Sequence, residues 1–313
     1  MLIDAGFIFL SLALLYYGGD FLVTGSINLS KRFKVSPFFI GAVIIGFGTS
    51  APELAVSIMA SLHGSGDLAL ANIIGSNITN IGLVLGTTAL IAPLTIESRQ
   101  FNKETPALII ATFVICVFAW NNYLSRFEGL IMIALLVIYL FKSFKSNECI
   151  NDNIEEGSSF IDIKRPVFQI FLTIAGMVML IIGANLMVQG ATNIARSIGI
   201  SEWFIGVSIV ALGTSLPEIV SSLIAAKRGH GDMAIGNVFG SNIFNILMVI
   251  GVASSINPIA INENIHADLI YTTVLTCLLL FLIWIRHTLK KRDGVILVLC
   301  YAVYMCFKAL NIL

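Results

Sequence analysis

Charge is scarce in this 313-residue chain. Asp, Glu, Lys and Arg make up 12% of it, about half of the ~25% usual in a soluble domain. That is too little to coat a water-soluble globule of this length. The 18 basic and 18 acidic residues cancel, so strong nucleic-acid binding has no electrostatic basis. Cysteine is also sparse. There are five, an odd number, and Cys116, Cys277, Cys300 and Cys306 lie in apolar runs, which argues against a disulfide scaffold. No HExxH stretch occurs, and no convincing Ser–His or Asp–Asp pair falls in the apolar segments. The chain is therefore not expected to be an enzyme. The N-terminus has no basic n-region, and its first apolar stretch carries Asp4 and Asp20. It reads as a first membrane span, not as a cleaved signal.

What is abundant is apolar surface. Hydrophobic residues form 57% of the chain, and the mean hydropathy is +0.94. This composition predicts an all-α polytopic membrane protein. Ten segments qualify as spans: 3–27, 36–62, 67–93, 104–121, 127–143, 166–192, 201–226, 232–256, 266–285 and 293–311. Loops are short, apart from a polar linker over 144–164. Sorting Lys and Arg by loop tests the count. With the N-terminus outside, fifteen fall inside and three (Arg126, Arg196, Lys308) outside. A bias this large supports ten spans, both termini outside and a cytoplasmic linker. The expected location is the cell (inner or plasma) membrane, with the lipid bilayer as the protein's surroundings and no obligate protein partner.

The two halves, 1–143 and 165–313, repeat each other at an offset of 165 residues. Residues 36–80 align without gaps to 201–245 with 22 of 45 identities. Gly48–Glu53 (GTSAPE) matches Gly213–Glu218 (GTSLPE), and Gly75–Asn80 (GSNITN) matches Gly240–Asn245 (GSNIFN). Shared lipid exposure explains matched Leu and Ile, but not matched Pro, Glu, Asn and Gly, so the chain carries an internal duplication. The first repeat motif spans about 36–90 and the second about 201–256. Five spans per repeat is an odd number, so the copies are predicted to be inverted about an axis in the membrane plane. That architecture is typical of secondary transporters with a midplane site.

Glu53 and Glu218 fall deep inside their spans. An ionised carboxylate there costs several kcal/mol unless paired, about 3 kcal/mol on insertion scales, and no Lys or Arg stands at matching depth. A mobile cation is the natural counter-charge. Gly48, Pro52, Gly213 and Pro217 interrupt the same helices, and broken backbone at membrane depth is tolerated where it lines a polar cavity. Carbonyls near Thr49 and Thr214 would then be available as ligands. Ser50 and Ser215 stand three residues before each Glu, a spacing that fits both a capping box and ion binding. Ser76 and Asn80, like Ser241 and Asn245, are four apart and present oxygen along one stripe. They serve either as ion ligands, the favoured reading, or as helix–helix glue. Asn77 and Asn242 are expected to support the broken helices by hydrogen bonds, and Gly75 and Gly240 to pack. Asp67 and Asp232 read as helix N-caps, and His63 and His230 as solvated loop residues. Asp20 has no acidic counterpart, because Asn185 stands there. Gly18, Gly19, Gly183 and Ala184 would permit close sliding contact. Every candidate ligand offers oxygen, which suits hard cations, Na⁺ or Ca²⁺ ahead of Mg²⁺. No cofactor is expected beyond transported ions.

The paired GTSxPE and GSNxxN motifs resemble the repeats of the sodium/calcium exchangers, in the calcium/cation antiporter superfamily. The likeness covers the whole chain and is strongest to short prokaryotic members. It implies Na⁺/Ca²⁺ antiport by alternating access, with the first and sixth spans sliding across the rest. It also implies an ion-ligand set of Glu53, Glu218, Thr49, Thr214, Ser50, Ser215, Ser76, Ser241, Asn80 and Asn245. Potassium-dependent relatives carry an acid at the position of Asn245, and proton-coupled exchangers a GNxxE-type motif. K⁺-dependent or proton-coupled antiport is thus the alternative reading. A passive cation channel is a third, disfavoured by the inverted repeat. The long cytosolic regulatory domain of animal exchangers has no counterpart in the sequence.

Overall fold

The computed structural model describes residues 2–146, 165–199, 211–262 and 265–310. Most of the polar linker and the start of the expected seventh span lie outside the described residues. The first half contains α1 (Leu2–Phe33), α2 (Pro37–Thr49), α3 (Ala51–Leu62), α4 (Gly66–Ile91), α5 (Ser98–Ala119) and α6 (Arg126–Ser146). The second contains α7 (Pro166–Ser197), α8 (Ala211–Thr214), α9 (Leu216–Lys227), α10 (Gly231–Ile256), α11 (His266–Arg286) and α12 (Lys291–Ala309).

Among the described residues, seven helices are long and apolar enough to cross a bilayer, and α2 with α3 forms an eighth span bent by 43°. Segments α8 and α9 are the described part of the span expected over 201–226. Helix α12 is long enough but carries Lys291, Arg292, Asp293 and Lys308 near its ends. The broken spans follow from their sequence. Proline cannot donate in a helix interior but is tolerated in a first turn. Accordingly α3 and α9 each restart with Pro52 or Pro217 in the first turn.

Helix α10 is the centre of the molecule. In its apolar window 94% of residues are buried, against 72% in α4 and 28% in α6. The outer helices turn Phe9, Phe113, Phe127, Phe141, Phe171 and Trp284 outward, as a lipid-facing surface requires. Helices α1 and α7 have 32 residues each. At 1.5 Å per residue that is about 48 Å, longer than the ~30 Å hydrocarbon layer. They pack on each other backbone to backbone. Gly18 faces the Gly176 carbonyl, Gly176 faces Gly18 and Leu22, and Gly183 abuts Leu14 and Leu15, leaving no room for a Cβ. Gly18 and Gly183 therefore seat α1 against α7, while Gly19 meets Val220 and Ile224 of α9.

The repeats are related by a pseudo-two-fold. Strand β1 (Leu94–Thr95) pairs antiparallel with β4 (Thr288–Leu289), and β2 (Tyr123–Leu124) with β3 (Ile259–Ala260). Leu94 opposite Leu289 maps onto Ile259 opposite Leu124. The repeat thus exchanges one sheet for the other.

Several polar residues differ from their expected roles. Ser65 and His230 hold the cap positions of α4 and α10. Asp67 instead accepts from the Asn262 amide (2.7 Å) and its Nδ2 (3.1 Å), tying α4 to the segment after β3. Asp232 accepts from the Met233 amide within its own first turn (2.8 Å). His63 is exposed, but His230 is half-buried. Burial, with the charges of Lys31 and Arg228, holds the His230 imidazole below its ordinary pKa. Asp20 pairs with Arg228, which also donates to Thr24 (2.6 Å), tying α1 to the end of α9. The matching residues, Asn185 and His63, provide no carboxylate for such a pair.

Candidate ion-binding site

Both glutamates lie in the first turn of a half-helix, Glu53 in α3 and Glu218 in α9. The positive end of each helix dipole favours a carboxylate there. Each is only 1% exposed, and the two lie within electrostatic reach of each other. Helix α3 packs against the turn that begins at Asn245, and α9 against the turn that begins at Asn80. Each acid therefore faces the second motif of the opposite repeat.

Those turns are π-helical, over Asn80–Leu85 and Asn245–Ile250. Such wide turns recur at functional sites. The asparagines around them form a reciprocal network. Asn77 Nδ2 donates to the Asn242 carbonyl (3.3 Å), and Asn242 Nδ2 to the Asn77 carbonyl (3.5 Å). Asn80 Nδ2 donates to Asn242 Oδ1 (3.1 Å), and Asn245 Nδ2 to Asn77 Oδ1 (3.0 Å). Asn77 and Asn242 thus hold the two candidate ligands by their nitrogens, and the ligand oxygens Asn80 Oδ1 and Asn245 Oδ1 receive no hydrogen bond.

The same is true of other members of the set. Ser50 Oγ, Glu53 Oε2, Ser215 Oγ and both Glu218 carboxylate oxygens are buried without a hydrogen-bond partner. Ser50 and Ser215 occupy N-cap positions, but neither side chain caps its helix. The capping-box reading is thereby corrected, and the hydroxyls are left to serve another partner. A buried oxygen without a donor is costly, on the order of 1–3 kcal/mol each. Six residues carrying seven such oxygens, matched between repeats, need a common explanation.

The remaining candidates are brought to the same place with different contacts. Thr49 Oγ1 lies 3.3 Å from Ser241 Oγ and 3.4 Å from Asn237 Oδ1. Ser241 also donates to the Gly46 carbonyl (3.4 Å). Thr214 and Ser76 line a common cavity of about 350 Å³, with Asn72, Gly75, Tyr304 and Lys308. In both repeats, then, the Thr of one first motif stands with the Ser of the other second motif.

Asn72 and Asn237 extend the site beyond the residues singled out from motif spacing. Asn72 Nδ2 donates to Ser57 (3.2 Å), and Asn237 Nδ2 to Ser221 (3.1 Å) and Ser222 (2.9 Å). Their repeat match was a usable signal, but the orienting serines lie on another helix, so the direction of each oxygen was not.

Among the described residues, which leave out most of the repeat counterpart of α2, the two second-motif helices are covered differently. Helix α2 covers the face of α10 that carries Gly236 and Gly240, whose missing Cβ atoms would strike the Phe38 and Ala42 carbonyls. On α4, Ala71 is exposed, Gly75 is half-buried and the cavity lies over them. Gly240 is a packing glycine as expected, whereas Gly75 lines the cavity.

Known proteins resemble this chain over nearly all of its length. The family model for the sodium/calcium exchanger protein matches residues 3–145 and again 168–310, two segments displaced by the repeat offset. The sodium/calcium exchanger MaX1 of Methanosarcina acetivorans is 29% identical over 97% of this chain and 98% of its own length. The putative antiporter CaxA of Alkalimonas amylolytica is 34% identical over 97% and 98%. A solved structure of the sodium-calcium exchanger NCX_Mj superposes with a TM-score of 0.86 at 33% identity, over 98% of this chain and 99% of that one. With both halves matched and the fold shared end to end, the chain belongs to the sodium/calcium exchanger family.

Proposed function

We propose that the protein exchanges Na⁺ for Ca²⁺ across the membrane by alternating access, and that the exchange is electrogenic. The observation that carries this reading is the cluster of buried, unpartnered oxygens on Ser50, Glu53, Asn80, Ser215, Glu218 and Asn245. Oxygens alone, with two carboxylates among them, suit Ca²⁺, which takes about six to eight oxygen ligands in flexible geometry. Two carboxylates neutralise one Ca²⁺ or two Na⁺, so the two ions compete for one charge and exclude each other. A third Na⁺ would add a net charge to the sodium-loaded form.

A cavity reaches Ser76 and Thr214 from one side of the site, as alternating access requires of one of its states. In this reading Thr49, Thr214, Ser76 and Ser241 complete the ion ligands, both termini lie outside and the linker is cytoplasmic.

The test is Ca²⁺ uptake by proteoliposomes loaded with Na⁺ and diluted into Na⁺-free medium. Uptake that requires internal Na⁺, and ignores K⁺ and a collapsed pH gradient, is the expected result. Uptake driven only by a pH gradient, or only with K⁺, would transfer the protein to the proton-coupled or K⁺-dependent antiporters.

A further inference from the structure

The cavity that reaches the candidate ligands also carries a fixed positive charge. Lys308 lines it, and its ammonium donates to Asp268 Oδ2 at 2.7 Å. The Tyr304 hydroxyl donates to Asp268 Oδ1 at 3.1 Å. Lys308 stands in the last turn of α12 and Asp268 in the first turn of α11, so the cluster marks the mouth of the cavity.

The other repeat holds a counterpart. Tyr139 and Ser143 of α6 match Tyr304 and Lys308 at the repeat offset. Ser143 Oγ donates to Glu104 Oε1 of α5 at 2.8 Å, and Tyr139 lies beside them. An acid beside a tyrosine recurs, one residue out of register, since Lys103 stands at the match of Asp268.

We propose that Lys308 is a specificity-determining residue. Its ammonium occupies the Asp268 carboxylate as a tethered cation, so that this mouth does not concentrate divalent ions. The inference rests on the exchange reading above. A fixed unit charge acts on Ca²⁺ with twice the energy it exerts on Na⁺. Its effect on apparent Ca²⁺ affinity is therefore the square of its effect on Na⁺. Without Lys308, the Asp268 carboxylate loses this counter-charge at the mouth, which raises the local concentration of cations.

The experiment compares wild type, K308S, K308M, K308R and the D268N/K308S double variant. Half-saturating Ca²⁺ and Na⁺ are measured in right-side-out and inverted vesicles, at low and high ionic strength set with N-methylglucamine chloride. K308S and K308M are expected to lower half-saturating Ca²⁺ about five-fold and Na⁺ about two-fold at low salt. The shift should arise only from the face bearing Lys308. It should vanish in about 1 M salt, where the screening length is about 3 Å. K308R and the double variant should resemble wild type. Unchanged affinities in K308S and K308M overturn the inference. So do equal shifts for the two ions, a shift from both faces, or one that survives high salt. Each of these, with wild-type exchange intact, leaves the exchange reading standing. A wild type that moves no Ca²⁺ in response to Na⁺ overturns both.

Discussion

Glu53 and Glu218 occupy equivalent places, and each has buried carboxylate oxygen to offer. One Glu53 oxygen and both Glu218 oxygens lack partners. If both serve the same ion, Glu53→Gln and Glu218→Gln should each abolish Na⁺-driven Ca²⁺ uptake. A fall of at least about a hundred-fold is expected, since losing a charged ligand in a buried site removes several kcal/mol. Equal expression and unchanged thermal unfolding in detergent would separate this from misfolding. A mutant that keeps more than a tenth of wild-type flux would exclude that carboxylate as a ligand. Asn77 makes a subtler case. It touches the candidate ligand Asn245 through its side-chain oxygen and Asn242 through its nitrogen. Asn77→Ala should release Asn245 to rotate and weaken Ca²⁺ binding by about 10-fold, as loss of a ligand's supporting partner commonly does. Half-saturating Ca²⁺ in the same flux assay reads this. An effect on maximal flux alone would mean that Asn77 serves the conformational change and not the ligand.

At the scale of elements, the matched glycines make opposite predictions from the same motif. Gly240 lies against the Ala42 carbonyl on α2, and Gly75 has no atom within 4 Å of where its Cβ would stand among the described residues. Gly240→Ala should force α2 off α10 and destabilise the protein by about 1–3 kcal/mol, the usual cost of overpacking. Gly75→Ala should leave thermal unfolding unchanged, although alternation would later press that face against a neighbour and slow turnover. Unfolding midpoints and flux measured on both variants check the pair. The broken spans themselves were legible from sequence, because Gly48, Pro52, Gly213 and Pro217 act locally on the backbone. The second-motif asparagines were legible as a stripe. The π turns at Asn80 and Asn245 were not, since nothing in the local residue types distinguishes them from α-helix. The two-residue strands were too short to show an alternating period. The unsatisfied Ser50 and Ser215 hydroxyls were hidden for another reason. Their spacing from Glu is that of a capping box, and only the fold shows that the box is not made.

At the scale of the whole molecule, the repeat dictates a charge argument. The pseudo-two-fold supplies one carboxylate from each half, and no basic residue is matched to them in depth. The proposed site would therefore present two negative charges to whatever crosses. Loaded with Ca²⁺ it is neutral, and loaded with three Na⁺ it carries one positive charge. The charged form then crosses the membrane field only on the sodium limb. If three Na⁺ leave the vesicles for each Ca²⁺ that enters, each cycle exports one net positive charge. An inside-positive potential should accelerate uptake and an inside-negative one should retard it. Moving one charge through 100 mV is worth about 2.3 kcal/mol, or roughly fifty-fold in the driving equilibrium. A K⁺ gradient with valinomycin sets the potential in either direction. If uptake instead ignores potential, the sodium-loaded site must be neutral. Two carboxylates would then balance two Na⁺, with no third cation bound. Collapsing the pH gradient should leave that indifference unchanged, because no proton enters this charge balance.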